Sequence, residues 1–370
     1  MRLAILIPRL SGGGAEFVAG QWASYLRAQA HSVTIVTTHG GADPTVVALG
    51  STRFVSRVGE LRRHLQQAGY DVVLAMMPHW NVLALLAAAG RPKGSPAVVI
   101  SGRNVESALR SSQGLSYRLE LLLAQVLYRR ADAYVAISHP VAAEAAAAYS
   151  IDPERIWVVP NPATGKVSVR PPGVRGPATT SSVTLTVPAR LVPQKRPELA
   201  LETAAVLRNH HGVQAAVAYF GRGPEEAALR AAALRLGVPT VFHGWVPDWF
   251  DRAAPDAVVL LPSAAEGFGN VLVEAAAVGI ASVASSRALG VADAIVPNVT
   301  GVLTMGTTAE ELAVGVTQAM ALNPVSAPQW LQRFSPEESG EKLLHVLVAV
   351  TGARPSPAPV AEAPSLQSSR

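Results

Sequence analysis

The sequence contains no cysteine in its 370 residues. That excludes disulfides, thiolate nucleophiles and cysteine-ligated zinc, and it fits a cytoplasmic enzyme. Lysine is scarce, occurring only as Lys93, Lys166, Lys195 and Lys342. The histidines are scattered, and neither H-x3-H nor D-x-D occurs, which argues against a bound catalytic metal. No apolar run reaches the roughly 18 residues of a membrane span. The opening MRLAILIPRL has no small-residue cleavage site and reads as a first strand rather than a signal peptide. Clusters of Lys and Arg interleaved with aromatics are missing too. A pI of about 9.7 and a net charge of +5 therefore suit an anionic small ligand or an anionic membrane surface better than nucleic acid.

What is present is a chain 49% hydrophobic with mean hydropathy +0.26, which excludes a disordered protein. Its length suits two domains. Short β-rich apolar runs alternate with Ala/Leu-rich helical patterns from the first residues to about 350. That alternation predicts an α/β protein with parallel sheets covered by helices on both faces. The segment 163–182 is rich in Pro, Gly, Ser and Thr without apolar period and reads as a linker. The segment 351–370 reads as a disordered tail.

One stretch, 257–279, organises the rest. An apolar run of strand length leads into a small polar loop holding Gly267 and Gly269, and then into a helical pattern. A glycine loop at a helix N-terminus offers free N–H groups to an anion or to hydroxyls. Glu266 and Glu274 flank it, and no Lys or Arg near them in sequence supplies a partner. Earlier, 11–16 is a glycine-rich turn between a strand and a helix. It misses the dinucleotide fingerprint because Phe17 stands where the last glycine belongs, and no acid follows the second strand. A nicotinamide dehydrogenase is thus disfavoured. Arg190 and Lys195 follow a strand end at 183–187, five residues apart, and can converge on a diphosphate. His79 and Trp80 stand at another strand end. Either they line an acceptor site or they pack. The helix at 114–130 presents arginines on one side; it either touches a membrane surface or is a solvated face.

The segment EGFGNVLVE resembles the E-x7-E motif of retaining, nucleotide-sugar-dependent glycosyltransferases of family 4, which have the GT-B fold. Other segments agree in order: SGGGAE, YVAISHPVAAE, ERIWVVPNP, PARLVPQK (with Ala189 in place of a glycine), GRGP, VFHGW and WLQRFS. The resemblance implies two Rossmann-like domains facing a cleft. The acceptor-side domain would be 1–165 plus about 330–350, through a C-terminal helix crossing back, and the nucleotide-sugar domain 181–329. It implies that Gly13, Gly14, Gly221, Arg222, Gly267, Phe268, Gly269, Asn270, Val271 and Glu274 bind the donor. Glu274 would hold ribose hydroxyls and Glu266 would orient the sugar. Arg190 and Lys195 would meet the charge of the departing diphosphate, with Arg190, Lys195 and Glu266 as the catalytic set. Many members carry a histidine at the end of the strand at 98–101. Here Arg103 and Asn104 stand there instead: Arg103 either binds a phosphate or an acidic acceptor, or is a surface arginine.

The implied activity is metal-independent sugar transfer, with retention, from a nucleoside-diphosphate sugar to a hydroxyl acceptor. The nucleotide would be uridine diphosphate first and guanosine diphosphate second. No cofactor and no nucleic-acid partner is implied, and peripheral contact with the inner membrane face is compatible. A nucleotide-sugar 2-epimerase of the same fold is the alternative enzyme, and an inactive sugar-nucleotide-binding protein is the non-enzymatic one.

Overall fold

In the computed structural model, which describes residues 1–10, 13–40, 43–90, 95–109, 114–169, 181–322 and 327–352, the strands form two wholly parallel sheets. The first contains β1 (Arg2–Leu6), β2 (Ser32–Thr37), β3 (Val46–Ala48), β4 (Val72–Met76), β5 (Ala97–Gly102), β6 (Ala133–Ala136) and β7 (Ile156–Val158). Their spatial order is β3-β2-β1-β4-β5-β6-β7. The second contains β8 (Ser182–Val187), β9 (Gln214–Tyr219), β10 (Thr240–Phe242), β11 (Ala257–Leu261), β12 (Ser282–Ser285) and β13 (Gly301–Thr304), in the order β10-β9-β8-β11-β12-β13. Every residue of β4 and β11 is buried. A strand with helices on both faces has no solvent side, so its sequence runs apolar instead of alternating. The two Rossmann-like halves and the crevice between them are the GT-B architecture.

The helices of the first half are α1 (Gly14–Ala28), α2 (Phe54–Ala68), α3 (Pro78–Ala87), α4 (Leu115–Leu127) and α5 (His139–Tyr149). Those of the second are α6 (Glu198–His210), α7 (Glu226–Leu236), α8 (Asn270–Ala277) and α9 (Ala309–Ala321), followed by α10 (Pro328–Gln332) and α11 (Pro336–Thr351). Ser138 caps α5, its side chain accepting from the Val141 N–H. The short strands β3, β7 and β13 are weakly patterned in the sequence. Glycine-led or three residues long, they are recruited by pairing with β2, β6 and β12.

The run from Trp330 onward reads as one closing helix, but the structure makes two. Ser335 caps α11 through the Glu338 N–H at 3.1 Å, and Pro336 takes the first helical position, where its missing N–H costs nothing. The short α10 stays with the second half, against α8. Helix α11 returns to α1, burying Leu343, Val346 and Leu347 beside Leu3, Ile5 and Val18. Trp22 Nε1 donates to Ser339 Oγ at 2.9 Å, and that hydroxyl donates to the Pro160 carbonyl at 2.5 Å.

Strand order reverses at β1, which pairs with β2 and β4, and at β8, which pairs with β9 and β11. The loops leaving the carboxyl ends on either side of such a point diverge and leave a crevice. Of the expected linker 163–169, 181 and 182 are described, with Ser182 already in β8, and of the expected tail only 351 and 352 are described.

Candidate active site

The two crevices face each other and enclose a cleft of about 820 Å³. The Gly13–Gly14 turn lies on one side. On the other are the loop after β8, with Arg190 and Lys195, and the loop after β11, with Glu266 to Gly269. Ser11 and Gly12 of the glycine turn lie outside the described residues.

The polar loop after β11 is shaped by close backbone approach. A Cβ at Gly267 would stand 2.3 Å from the Arg103 carbonyl oxygen, so only glycine lets the two halves meet there. Gly269, at φ 99°, ψ 64°, is the N-cap of α8, a left-handed conformation that frees the helix N-terminus toward the cleft. The Gly267 carbonyl accepts from Ser138 Oγ at 2.6 Å. Asn270 Oδ1 accepts from Asn161 Nδ2 at 2.7 Å. His139 donates its backbone N–H to Asp293 Oδ2 at 2.7 Å. These bonds draw the halves together along the cleft floor.

Both flanking glutamates acquire lysine partners through tertiary contact. Glu266 Oε1 lies 2.5 Å from Lys195 Nζ and accepts from Ser263 Oγ at 2.6 Å. Gln194 braces the same loop, donating from Nε2 to the Ala265 carbonyl at 3.0 Å. Glu274 is almost fully buried. Its Oε1 is 3.0 Å from Lys166 Nζ, and its Oε2 accepts from Trp249 Nε1 at 2.7 Å. Burial raises the proton affinity of Glu274, while the Lys166 charge and the indole N–H oppose that rise.

Arg190, Gly221, Arg222, Phe268, Asn270 and Val271 also line the cleft, as do Arg103 and Asn104. The Arg103 guanidinium is folded back into the first half. It donates to Asn161 Oδ1 at 2.8 Å and lies 5.4 Å from the Trp22 ring centre. Its Nη1 is buried without a hydrogen-bond partner. Burial pulls its pKa down to about 9, and the nearby Glu16 carboxylate opposes that shift. Arg103 is therefore not a surface arginine, and it remains charged at neutral pH.

His79 and Trp80 are not brought to the cleft. Both sit in the first turn of α3, where successive side chains point about 100° apart. Trp80 turns into the core at 1% exposure. His79 Nδ1 pairs with Glu120 on α4 at 2.8 Å, its ring edge against Phe54. Residues that sequence reasoning passed over are Lys166, Trp249, Glu16 and Asn161. Lys166 carried a signal as one of four lysines, and Glu16 and Asn161 stand inside the segments SGGGAE and ERIWVVPNP. Among the described residues, no group of three or more His, Cys, Asp or Glu is placed to hold a metal ion. No described helix is long and apolar enough to cross a membrane.

Two family models match the chain: "Glycosyltransferase Family 4" over 12–163 and "Glycosyl transferases group 1" over 176–330. A curated relative, an exopolysaccharide phosphotransferase of Streptomyces coelicolor, is 27% identical over 265 residues. That match takes in 70% of this chain but only 26% of the relative's length. Among solved structures, the lipopolysaccharide outer core galactosyltransferase WaaB in its apo form matches with a TM-score of 0.72 at 19% identity. It covers 94% of this chain and 99% of WaaB. Anabaena HepE in complex with UDP-glucose matches with a TM-score of 0.73 at 18% identity, over 94% of this chain and 100% of HepE. At these identities the solved structures speak for the fold and the family models for the family. The chain belongs to the group 1, family 4 glycosyltransferases.

Proposed function

We propose that the enzyme moves a sugar from a uridine diphosphate sugar to a hydroxyl acceptor with retention at the anomeric carbon. The observation that carries this reading is the Lys195–Glu266 pair at the crevice after β8 and β11. Arg190 stands on the same wall and the Gly13–Gly14 turn opposite. The donor's nucleotide lies on the second half, with Glu274 taking the ribose hydroxyls. Glu266 orients the sugar, and Arg103 and Asn104 face the acceptor side. The bond from the anomeric carbon to the diphosphate oxygen breaks. The acceptor oxygen forms its bond on the same face, and its proton passes to the departing phosphate oxygen. Arg190, Lys195 and the loop N–H groups stabilise the charge that gathers on the diphosphate, which is where preorganised donors contribute most. Uridine is the first choice because the HepE structure of this fold is in complex with UDP-glucose.

Helix α4 supports peripheral membrane contact. Leu119, Leu122, Leu123 and Val126 are exposed at helical spacing, with Arg118, Arg129 and Arg130 exposed beside them. Apolar residues on the helix, with one cation on it and two in the turn that follows, suit an anionic lipid interface.

The test is a panel of nucleotide sugars with lipid-linked, polysaccharide and small hydroxyl acceptors, reading nucleotide release and the anomeric configuration of the product. Acceptor-dependent release of nucleoside diphosphate with a retained anomer is expected. Release of nucleoside monophosphate would instead favour sugar-phosphate transfer; the Streptomyces relative is named a phosphotransferase. Isomerisation of the donor without acceptor would mean an epimerase.

A further inference from the structure

Trp249 and Glu274 belong to the same half of the molecule, but Lys166 does not. It follows β7, in the connector between the sheets. The connector backbone there is pinned. Thr164 donates both its N–H and its Oγ1 to the Phe334 carbonyl at 3.1 Å, and the Val167 N–H donates to the Thr164 carbonyl at 2.9 Å. Ala163 and Val167 are buried on either side of this turn. From that fixed base the Lys166 side chain crosses the cleft. Its Nζ lies 5.8 Å from the Phe17 ring centre of α1, 3.4 Å from the Pro247 carbonyl and 3.0 Å from Glu274 Oε1. A lysine thus stands on each glutamate of the E-x7-E pair, and this one is delivered by the connector.

We propose that Lys166 is a positioning residue of the nucleoside subsite, acting through Glu274 to present its carboxylate as a two-oxygen acceptor to a vicinal diol, the ribose of the donor nucleotide. This inference rests on the ribose role given to Glu274 above. An ionised carboxylate accepts one hydroxyl on each oxygen, whereas a protonated one turns one oxygen into a donor and matches a diol poorly. Glu274 sits where burial favours the protonated form, and the Lys166 charge is the first influence against it, the Trp249 N–H the next. Strands β11 and β12 and helix α10, which pack on α8, carry no titratable side chain. Asp251 lies in the turn that holds Trp249, and the Lys195–Glu266 pair lies further along the cleft. Without Lys166 the carboxyl takes up its proton at higher pH. Because the ionised form binds the diol, affinity is full above that pKa and is lost as pH falls through it.

The experiment titrates UDP and GDP into the full chain and into Lys166→Met, Lys166→Gln, Lys166→Arg and Glu274→Gln, from mildly acidic to mildly alkaline pH. Whichever nucleotide binds the unaltered protein more tightly is the probe. Lys166→Met and Lys166→Gln should bind it roughly tenfold more weakly at neutral pH, the loss of about one charged hydrogen bond's contribution. The deficit should shrink as pH rises, and turnover at saturating donor should change by no more than about twofold. Lys166→Arg should restore the original pH profile. A profile parallel to that of the unaltered protein, or tighter binding once Lys166 is gone, overturns the proposal, because the lysine would then be an interdomain strut or an obstruction. Glu274→Gln separates the two readings. If it binds the probe normally, or if neither nucleotide binds, the ribose role falls and the proposal with it. If it binds weakly while Lys166→Met behaves normally, the ribose role stands and the proposal alone fails.

Discussion

Replacement of Lys195 by alanine joins the geometry of the cleft to the proposed chemistry. Lys195 and Glu266 side chains are 16% and 9% exposed, and their charged atoms are 2.5 Å apart. Alanine removes the cation and leaves Glu266 with Ser263 Oγ as its remaining short contact. Breaking a fully buried pair costs about 3–5 kcal/mol, because the orphaned charge stays dry. Here the vacated space opens on the cleft and water enters, so a stability loss of about 1–2 kcal/mol is expected. In a chain of this size that is a fall of a few degrees in Tm. The catalytic loss should be larger. If Lys195 meets charge developing on the diphosphate, kcat/KM should fall roughly 10²–10³-fold, about 2.7–4 kcal/mol, as on removing one transition-state donor. Arg190→Ala should do at least as much, and the double variant should be less than additive if both groups hold one phosphate. The assay is initial-rate nucleotide release with donor and acceptor, in EDTA and with added Mg²⁺, alongside thermal melts of each variant. Because the pair replaces a metal in this reading, activity should persist in EDTA. A Lys195→Ala enzyme with normal kcat/KM, or one silenced by EDTA and rescued by Mg²⁺, would refute the reasoning.

Ser339→Ala should lower stability by about 1–3 kcal/mol, since it orphans both the Trp22 indole N–H and the Pro160 carbonyl; an unchanged melting curve would mean that the α11 crossing is held by apolar packing alone. Arg103→Ala should reduce turnover at saturating donor more than it weakens nucleotide binding, and a loss confined to nucleotide affinity would place the guanidinium on the diphosphate instead. Replacing Leu122 and Val126 on α4 by serine should reduce co-sedimentation with anionic vesicles while leaving transfer to a small water-soluble acceptor intact; equal sedimentation of both forms would remove the membrane reading.

Much of the fold was legible because its information is local. A parallel strand covered on both faces must be apolar throughout, as 72–76 and 257–261 are, and the polar loop at its carboxyl end must be where a ligand can reach. Gly267, Gly269, Arg190 and Lys195 were legible for the same reason: each lies within a few residues of a strand end that periodicity locates. The separate helices α10 and α11 were hidden because Trp330 and Phe334 continue an apolar pattern across the break, and only the Ser335 cap with Pro336 marks the restart.

Composition and pattern by themselves settled the α/β alternation, the lack of thiol chemistry and the loops that line the cleft, since each follows from residues near one another in the chain. Tertiary structure decided what those loops meet. Trp80 and His79 are neighbours in sequence, yet one is core and the other pairs with α4, because a helix turns its side chains apart and packing selects between them. Lys166 lies in the connector and Glu274 in the second half, and neither sequence neighbourhood names the other. Their pairing exists only because the connector is pinned by Phe334 and the two crevices close face to face. It is the closure of the chain, not any local propensity, that places a lysine on a buried carboxylate.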